Sequence, residues 1–430
     1  MKMTLIPKQI RNLSGWLFFT LAILCSTTWA NDSLPAFTAS QGMLDLSRWN
    51  FEYNGNIRLD GEWGFFWNQL IMPENMIGSD AEIFVNVPSE WNHYQIKNQK
   101  LSSDGYGTFV LTVLLPKTRE PLALRILDMA TAYRIWVNGK PVASNGVVGT
   151  SAGEMNPQFM PQVVTLNHTD QVMRIVVQIS NFYHAKGGFW RSIELGTESN
   201  IRDRQRYMLG FEMFLLGAVL IMALYHLGLF ALRNRETTAL YFGLFCLVVA
   251  LRVMLTGERL MFEQFRMISW EWLSTMEHLT FYLGVPLFAA FLRALNPEEF
   301  SAKMHKICLV IGGLFSVLVL VTPTRIYSMT LVPYQLNALF WGIYALGTLV
   351  LAMKHKRDGS ILVLICFIFL FITTVNDMVY SHTATIRINL LPLGLFIFIF
   401  AQAFILSQRF SKAFASAETL SEKLSQTMRT

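Results

Sequence analysis

Hydrophobic and polar positions follow two regimes along the chain. From about Asn31 to Arg206 short apolar runs alternate with polar turns, whereas from Tyr207 to Gln408 apolar blocks of helix length are cut by short charged loops. In the first regime, runs rich in β-branched and aromatic residues predict strands: Phe51-Glu52-Tyr53 before Asn54-Gly55, Thr108 to Leu115 before Pro116, Leu122 to Leu127, Tyr133 to Val137 before Asn138-Gly139, and Arg174 to Ile179. Strict alternation in Tyr133 to Val137 and in Val172 to Ser180 predicts one face to the core and one to solvent. Asn138-Gly139 supplies the positive φ angles of a two-residue hairpin turn. The pattern is that of an antiparallel sandwich.

The second regime predicts seven membrane-spanning helices: Tyr207 to Leu232, Thr238 to Leu255, Leu273 to Leu295, Lys306 to Val321, Ile326 to Met353, Ser360 to Tyr380 and Ile388 to Ser407. Arg233, Arg235, Arg293, Lys303, Lys306, Lys354-His355-Lys356-Arg357, Arg409 and Lys412 fall on one side of them. The opposite loops mix Arg259, Arg266, Arg325 and Arg387 with Glu258, Glu263 and Glu271. Positive charge inside then puts the N-terminal region outside and the C-terminus in the cytoplasm. The first thirty residues agree, with Lys2, Lys8 and Arg11, an apolar run from Trp16 to Cys25, and Thr28-Trp29-Ala30 as a small-x-small signal-peptidase site. An uncleaved anchor is the alternative. Leu24 before Cys25 argues against lipid attachment there. Beyond the last span, Phe410, Ala413, Ala417, Leu420 and Leu424 follow the three-and-four spacing of a coiled-coil seam, with an amphipathic surface tail as the other reading.

Composition sharpens this picture. Hydrophobic residues make up 53% of the 430 positions and charged residues only 15%, too apolar for an ordinary soluble chain. The net charge of +6 sits beside the spans, where it sets topology, so nucleic acid is not an expected partner. Cys246, Cys308 and Cys366 lie in or beside spans, which leaves the exported region to be held by its core without disulfides. Neither a paired-carboxylate site, nor a nucleophile elbow, nor a metal-ligand cluster is evident; Asp104, Asp128 and Glu154 are scattered, and His93 and His184 lack partners at ligand spacing. No enzyme activity, cofactor or metal is expected. The seventh span has no Lys, which excludes a retinal Schiff base.

The string Leu59-Asp60-Gly61-Glu62-Trp63-Gly64-Phe65, then Val87-Pro88-Ser89-Glu90-Trp91, then Gly105-Tyr106-Gly107, then Ile135-Trp136-Val137-Asn138-Gly139-Lys140 resembles the jelly-roll modules of galactose-binding-like proteins, including the sugar-binding domain of family 2 glycoside hydrolases. With a signal peptide, seven spans and a coiled-coil start, the whole resembles the bacterial seven-transmembrane receptors with diverse intracellular signalling modules. The expected architecture is a signal peptide (1–30), an exported all-β jelly-roll sandwich (31–200), an all-α seven-helix transmembrane bundle (207–408) and a cytoplasmic coiled-coil helix (409–430). The resemblance implies an inner-membrane receptor with a periplasmic sensor domain, a small-molecule ligand such as a carbohydrate, and a cytoplasmic signalling partner or an output domain not present in these residues; the coiled-coil seam suggests a homodimer. A transporter component with a substrate-capturing β domain, or a structural membrane protein whose β domain binds another protein, are the competing readings.

Sugar sites use exposed aromatic rings beside amides and charged donors. Trp63, Phe65, Trp67 and Trp136 read as core. The loop from Asn181 to Arg191 concentrates Tyr183, His184, Lys186, Trp190 and Arg191 around Gly187-Gly188, and is either a ligand edge or the hinge that rests on the membrane domain. His93, Tyr133 and Arg134 are secondary ligand candidates. Within the spans, Glu277 and His278 are candidates to pair with Asp377 or Arg252 in a polar network, interfacial placement being the alternative.

Overall fold

The computed structural model describes residues 37–418 apart from 77–80, 119, 128, 130, 167–169, 260–267, 358, 381–389, 392, 406–407, 409–410 and 412–417. The signal-peptide segment, Asp128, Glu263, Arg266, Arg387 and the coiled-coil seam positions Phe410, Ala413, Ala417, Leu420 and Leu424 lie outside the described residues. Residues 37 and 38 group with a separate N-terminal unit, and the fold below is that of the unit from Ala39 onward.

Among the described residues, fifteen strands precede the long helices. They are β1 (Met43–Asp45), β2 (Ile57–Arg58), β3 (Gly61–Trp67), β4 (Ile83–Val87), β5 (Ser89–Glu90), β6 (Gln95–Ile96), β7 (Gln99–Lys100), β8 (Gly105–Leu114), β9 (Leu122–Ile126), β10 (Ala132–Val137), β11 (Lys140–Asn145), β12 (Gln162–Leu166), β13 (Val172–Asn181), β14 (Gly188–Phe189) and β15 (Glu194–Thr197). One sheet runs β11-β10-β13-β8-β3-β4, with β1 added parallel to the end of β8; a second runs β12-β9-β15-β2. The result is β-sandwich-like. Asn138 (φ 48°) and Gly139 (φ 77°) close the β10–β11 hairpin in the left-handed conformations such a turn requires.

The core is aromatic. Trp63, Phe65, Phe109 and Phe189 are fully buried, with ring centroids 4.6–5.6 Å apart for the Phe65–Phe109, Trp63–Phe189 and Phe109–Phe189 pairs. Their polar handles are met: the Trp63 indole donates to the Leu59 carbonyl (2.9 Å) and that of Trp91 to Ser103 (3.1 Å).

Two strand expectations change. Phe51–Asn54 is one helical turn, because Asn50 Oδ1 accepts from the N–H groups of Glu52 and Tyr53 and Gly55 ends the turn at φ 70°. Neither β13 nor β10 keeps strict alternation: residues 175–181 are buried on both faces, and Trp136 is buried along with its neighbours Ile135 and Val137. The segment after β3 folds over their outer face, where Gln178 donates to the Ile71 carbonyl and Met76 packs on Val176 and Trp136.

The chain enters the helices without a linker. Helix α1 (Glu198–Leu232) starts on the residue after β15, capped by Thr197, whose hydroxyl accepts from the Asn200 N–H. At 35 residues it is about 50 Å long against a hydrocarbon core of about 30 Å, so its polar first turns stand out of the membrane towards the β domain. Then follow α2 (Thr237–Leu255), α3 (Trp270–Leu295), α4 (Ala302–Val321), α5 (Leu331–Lys354, entered through the turns Thr324–Tyr327 and Ser328–Thr330), α6 (Ser360–Tyr380) and the shorter apolar helix α7 (Leu393–Ile405). Among the described residues, six helices are long and apolar enough to cross a membrane. The seventh expected segment shows the thirteen residues of α7 among the described residues. Helix α1 packs on α2, α2 on α3, α3 on α4 and α5 on α6. Outward-facing Ile221, Leu224, Val310, Leu314, Val317 and Ile343 remain exposed, a surface that water would penalise and lipid tails accept. Cys246, Cys308 and Cys366 are free and buried between helices.

Pro286 interrupts α3 and shows how the bundle repairs a helix break. Proline has no N–H, so the Tyr282 carbonyl one turn earlier loses its helical donor. The Tyr334 hydroxyl of α5 donates to that carbonyl at 2.6 Å. Gly312 of α4 lets the helices close on the proline ring, which a Cβ there would meet at 2.7 Å.

Candidate functional site

The loop from Asn181 to Arg191 is held from within by one side chain. Asn181, fully buried at the end of β13, donates to the carbonyls of Ser103 (2.8 Å) and His184 (2.7 Å), while its Oδ1 accepts from the His184 N–H (3.1 Å) and the Thr131 hydroxyl (3.2 Å). Asn92 fixes the other flank, donating to the Ala185 carbonyl (3.1 Å) and accepting from the Gly187 N–H (3.0 Å). Lys186 pairs with Glu90 at 2.5 Å. Glycine is required at the apex: a Cβ on Gly187 would run into the Trp91 indole, and Gly188 sits at φ 104° where β14 pairs with β5.

From that frame the loop reaches the helices. The Ala185 N–H donates to Ser328 Oγ (3.1 Å) just before α5. Tyr183 and Trp190 pack with Phe159 on Leu255, Trp270 and Leu273 at the ends of α2 and α3, with the Tyr183 and Trp270 rings 6.4 Å apart and those of Phe159 and Trp270 5.4 Å apart. Arg325 adds an ion pair to Asp104 at 2.5 Å. These contacts bring the segment against the helices.

The expected ligand residues do not all converge. Tyr183, whose hydroxyl donates to Ala152 (2.9 Å), His184, whose ring lies 4.6 Å from that of Trp190, Lys186 and the half-buried Arg191 share the loop. Tyr133 is buried inside the sandwich, and Arg134 points to the opposite face of β10, exposed and stacked 5.2 Å over Trp136. His93 is exposed on the turn after β5. Glu154 is taken up by Thr150, whose hydroxyl (2.6 Å) and N–H hold its carboxyl below the usual range; a group that stays ionised is a poor general acid.

The intramembrane pairs also differ from expectation. Glu277 bonds to Arg259 (3.1 Å), and Arg252 donates to the Glu277 backbone carbonyl (2.9 Å) instead of its carboxylate. His278 Nδ1 donates to the Ser274 carbonyl within its own helix (2.9 Å), and the ring packs 4.8 Å from that of Tyr327. Asp377 does not join them. Its two oxygens accept from the N–H groups of Leu390 (2.8 Å) and Leu391 (2.9 Å), ahead of α7, because a free helix start needs acceptors that hydrocarbon cannot supply.

A second contact, unseen in the sequence pattern, joins β domain and bundle. Arg125 of β9 pairs with Glu258 in the turn after α2, each side chain only 8% exposed. Its single signal was a lone charge inside an apolar strand. Between Met160, Pro161, Gln205, Leu209, Glu258 and Arg259 this junction encloses a cavity of about 70 Å³, room for a few waters rather than a sugar. No group of three or more metal-ligating side chains occurs among the described residues.

Comparisons with known proteins follow the same division. No curated protein matches the chain. Solved structures similar to it include beta-glucuronidases from an uncultured Clostridium species (16% identity, 33% of this chain and 28% of that one, TM-score 0.27), from Ruminococcus gnavus (18%, 33% and 28%, 0.25) and from Faecalibacterium prausnitzii (13%, 33% and 31%, 0.26). The chain spans less than a third of the length of those enzymes, and such scores carry no argument about what it does. Residues 208–409 match the family described as 7TM diverse intracellular signalling. That match and six membrane-length helices behind a β domain agree with the reading of a membrane receptor. The helical segment, residues 208–409, is thus similar to the 7TM diverse intracellular signalling family.

Proposed function

We propose that this chain is a transmembrane signalling receptor whose β domain, a jelly roll on the outer face of the bacterial inner membrane, senses a small molecule of the carbohydrate class. The observation that carries the reading is the double attachment of the β domain: a covalent one through β15 into α1, and a packed one through the loop 181–191 onto the ends of α2, α3 and α5. A tether that only captured substrate would need the first alone. With both, a change in the β domain alters the relative position of α1 and its neighbours, the kind of differential input a bundle can pass across a membrane. In this reading α7 completes a seventh span, and the helix beyond it hands the change to a cytoplasmic partner or output domain, in a homodimer. The chain itself catalyses nothing.

The test is a thermal-shift screen of the full chain in lipid nanodiscs against sugars, cell-wall fragments and small organic acids, since a ligand stabilises the state it binds. A saturable shift is expected for one class. A flat response across all three would overturn the small-molecule reading, and a shift only with an added exported protein would replace it with a protein-binding role.

A further inference from the structure

The turn Thr256 to Arg259 between α2 and the described start of α3 touches the β domain with two consecutive residues, each of which also holds a different helix. Glu258 takes Arg125 of β9 with its side chain, while its backbone N–H donates to both carboxylate oxygens of Glu212 on α1 (3.1 and 3.2 Å). Arg259 lays its guanidinium 4.4 Å over the Phe159 ring of the β domain and pairs with Glu277 of α3 at 3.1 Å. A sharp backbone bend makes both contacts possible. Gly257 is at φ 66°, where a Cβ would collide with Glu212, and Arg259 is at φ 57°, a left-handed conformation costly for a residue with a side chain.

Arg125 has a second carboxylate within reach. Glu194, its register partner on β15, lies 3.6 Å away and is itself paired with Arg204 of α1 at 3.2 Å. Charges therefore alternate along Glu258, Arg125, Glu194 and Arg204, and the chain closes on α1 at both ends, through Arg204 and Glu212. The Arg125 and Glu258 side chains are 8% exposed and that of Glu194 12%, so solvent screens the choice weakly. One cation thus faces two carboxylates, one on the neighbouring strand and one on a turn of the helical segment, through two different nitrogens.

We infer that Arg125 is a shared cation which latches the 256–259 turn to the β domain when it serves Glu258 and releases that turn when it serves Glu194 alone. The inference rests on the receptor reading for its purpose but not for its test. A β domain that shifts β9 against β15 by an ångström or two redistributes Arg125 between its carboxylates, and α2 and α3 follow through the turn while α1 stays with β15.

Hydrogen exchange of the ligand-free full chain in nanodiscs, read by mass spectrometry over residues 256–259, decides it. Glu258→Gln removes the charge that holds Arg125 and is expected to raise exchange there about tenfold or more. Glu194→Gln removes the competitor and is expected to slow exchange there, and an unchanged or faster rate in it overturns the competition. Unchanged exchange in Glu258→Gln overturns the latch. Equal acceleration in both variants also overturns it, since that is general loosening and not competition. Should Glu258→Gln fail to fold, Glu194→Gln alone still separates the outcomes. No ligand enters the measurement, so a latch without any thermal shift would sink the small-molecule reading and leave the latch, and the converse pair of results would do the opposite.

Discussion

The repair of the α3 break at Pro286 yields a prediction in which one substitution cancels the cost of another. Tyr334→Phe removes the hydroxyl that bonds the Tyr282 carbonyl and nothing else of comparable size, because the ring stays packed against Tyr282 (centroids 4.3 Å apart) and Phe315 (5.0 Å). The carbonyl is then orphaned inside a bilayer. An unsatisfied buried acceptor costs about 1–3 kcal/mol, and interhelical hydrogen bonds in membranes measure near the lower end, so about 1–2 kcal/mol is expected. In a Pro286→Ala background residue 286 regains its N–H and can bond the carbonyl itself, so the same Tyr334→Phe change is expected to cost about 0.5 kcal/mol or less. The coupling in the double-mutant cycle is therefore about 1 kcal/mol. Pro286→Ala has its own cost in packing against Gly312, but that term cancels in the cycle. Denaturant-induced unfolding in mixed micelles, followed by tryptophan fluorescence, supplies the four stabilities. If Tyr334→Phe is equally destabilising with proline and with alanine at 286, the hydroxyl is not standing in for the missing helical donor.

Other expectations follow from single side chains. Asn181→Ala removes five hydrogen bonds at a fully buried position and should destabilise the loop by about 3 kcal/mol, seen as faster hydrogen exchange at the His184 amide and easier proteolysis between 182 and 188; unchanged protection would show that the loop is held from the bundle side alone. Asp377→Ala should cost about 1–2 kcal/mol, as a lost cap does, with Asp377→Asn recovering part of it in the same unfolding assay. Burial would raise Glu299, but hydrogen bonds from Arg357 (2.9 Å) and His355 (3.1 Å) outweigh it and hold its carboxyl below the ordinary value of 4.5. A depressed carboxyl stabilises the fold above its ordinary value and loses that contribution as pH falls through its folded value. The tie between the loop before α4 and the loop after α5 should therefore weaken below pH 4.5 and not on the alkaline side; an exchange profile of residues 296–301 that is flat between pH 6 and 3.5 would contradict this.

What the sequence reveals, and what it hides, follows from the range of each interaction. Six of the seven expected spans are membrane-length helices, five of them within a few residues of the expected bounds, because hydrocarbon thickness demands a run of apolar side chains whatever their neighbours. The start of α1 was missed by nine residues, since its first turns are polar and their helicity comes from the Thr197 cap and the Glu198–Arg202 pair. The Asn138-Gly139 hairpin was legible because its φ angles are a local demand. Asn50 and Gly55, by contrast, override the strand propensity of Phe51 and Tyr53, and the apolar outer face of β13 answers to a segment a hundred residues upstream. In the candidate site, the chemistry of the 181–191 loop could be read but not its direction: the same aromatic residues that suit a sugar also suit a helix end, and only Trp270 and Ser328 decide what they meet. Arg125 and Glu258 are 133 residues apart, and nothing near either position in the sequence names the other.

The junction of β15 and α1 has one more consequence. Because no residue separates Thr197 from Glu198, the azimuth of the sandwich about the α1 axis is set by counting residues, at about 100° and 1.5 Å for each. A single insertion there would swing the head by more than a quarter turn and carry Arg125 away from the one turn it touches; seven residues would restore the bearing within about 20° yet lift the head by roughly 10 Å. Length at this joint is therefore fixed in two coordinates at once, phase and height, and no insertion satisfies both. A sheet that grows straight into a membrane helix works as an indexed coupling, with its zero position written in the residue count.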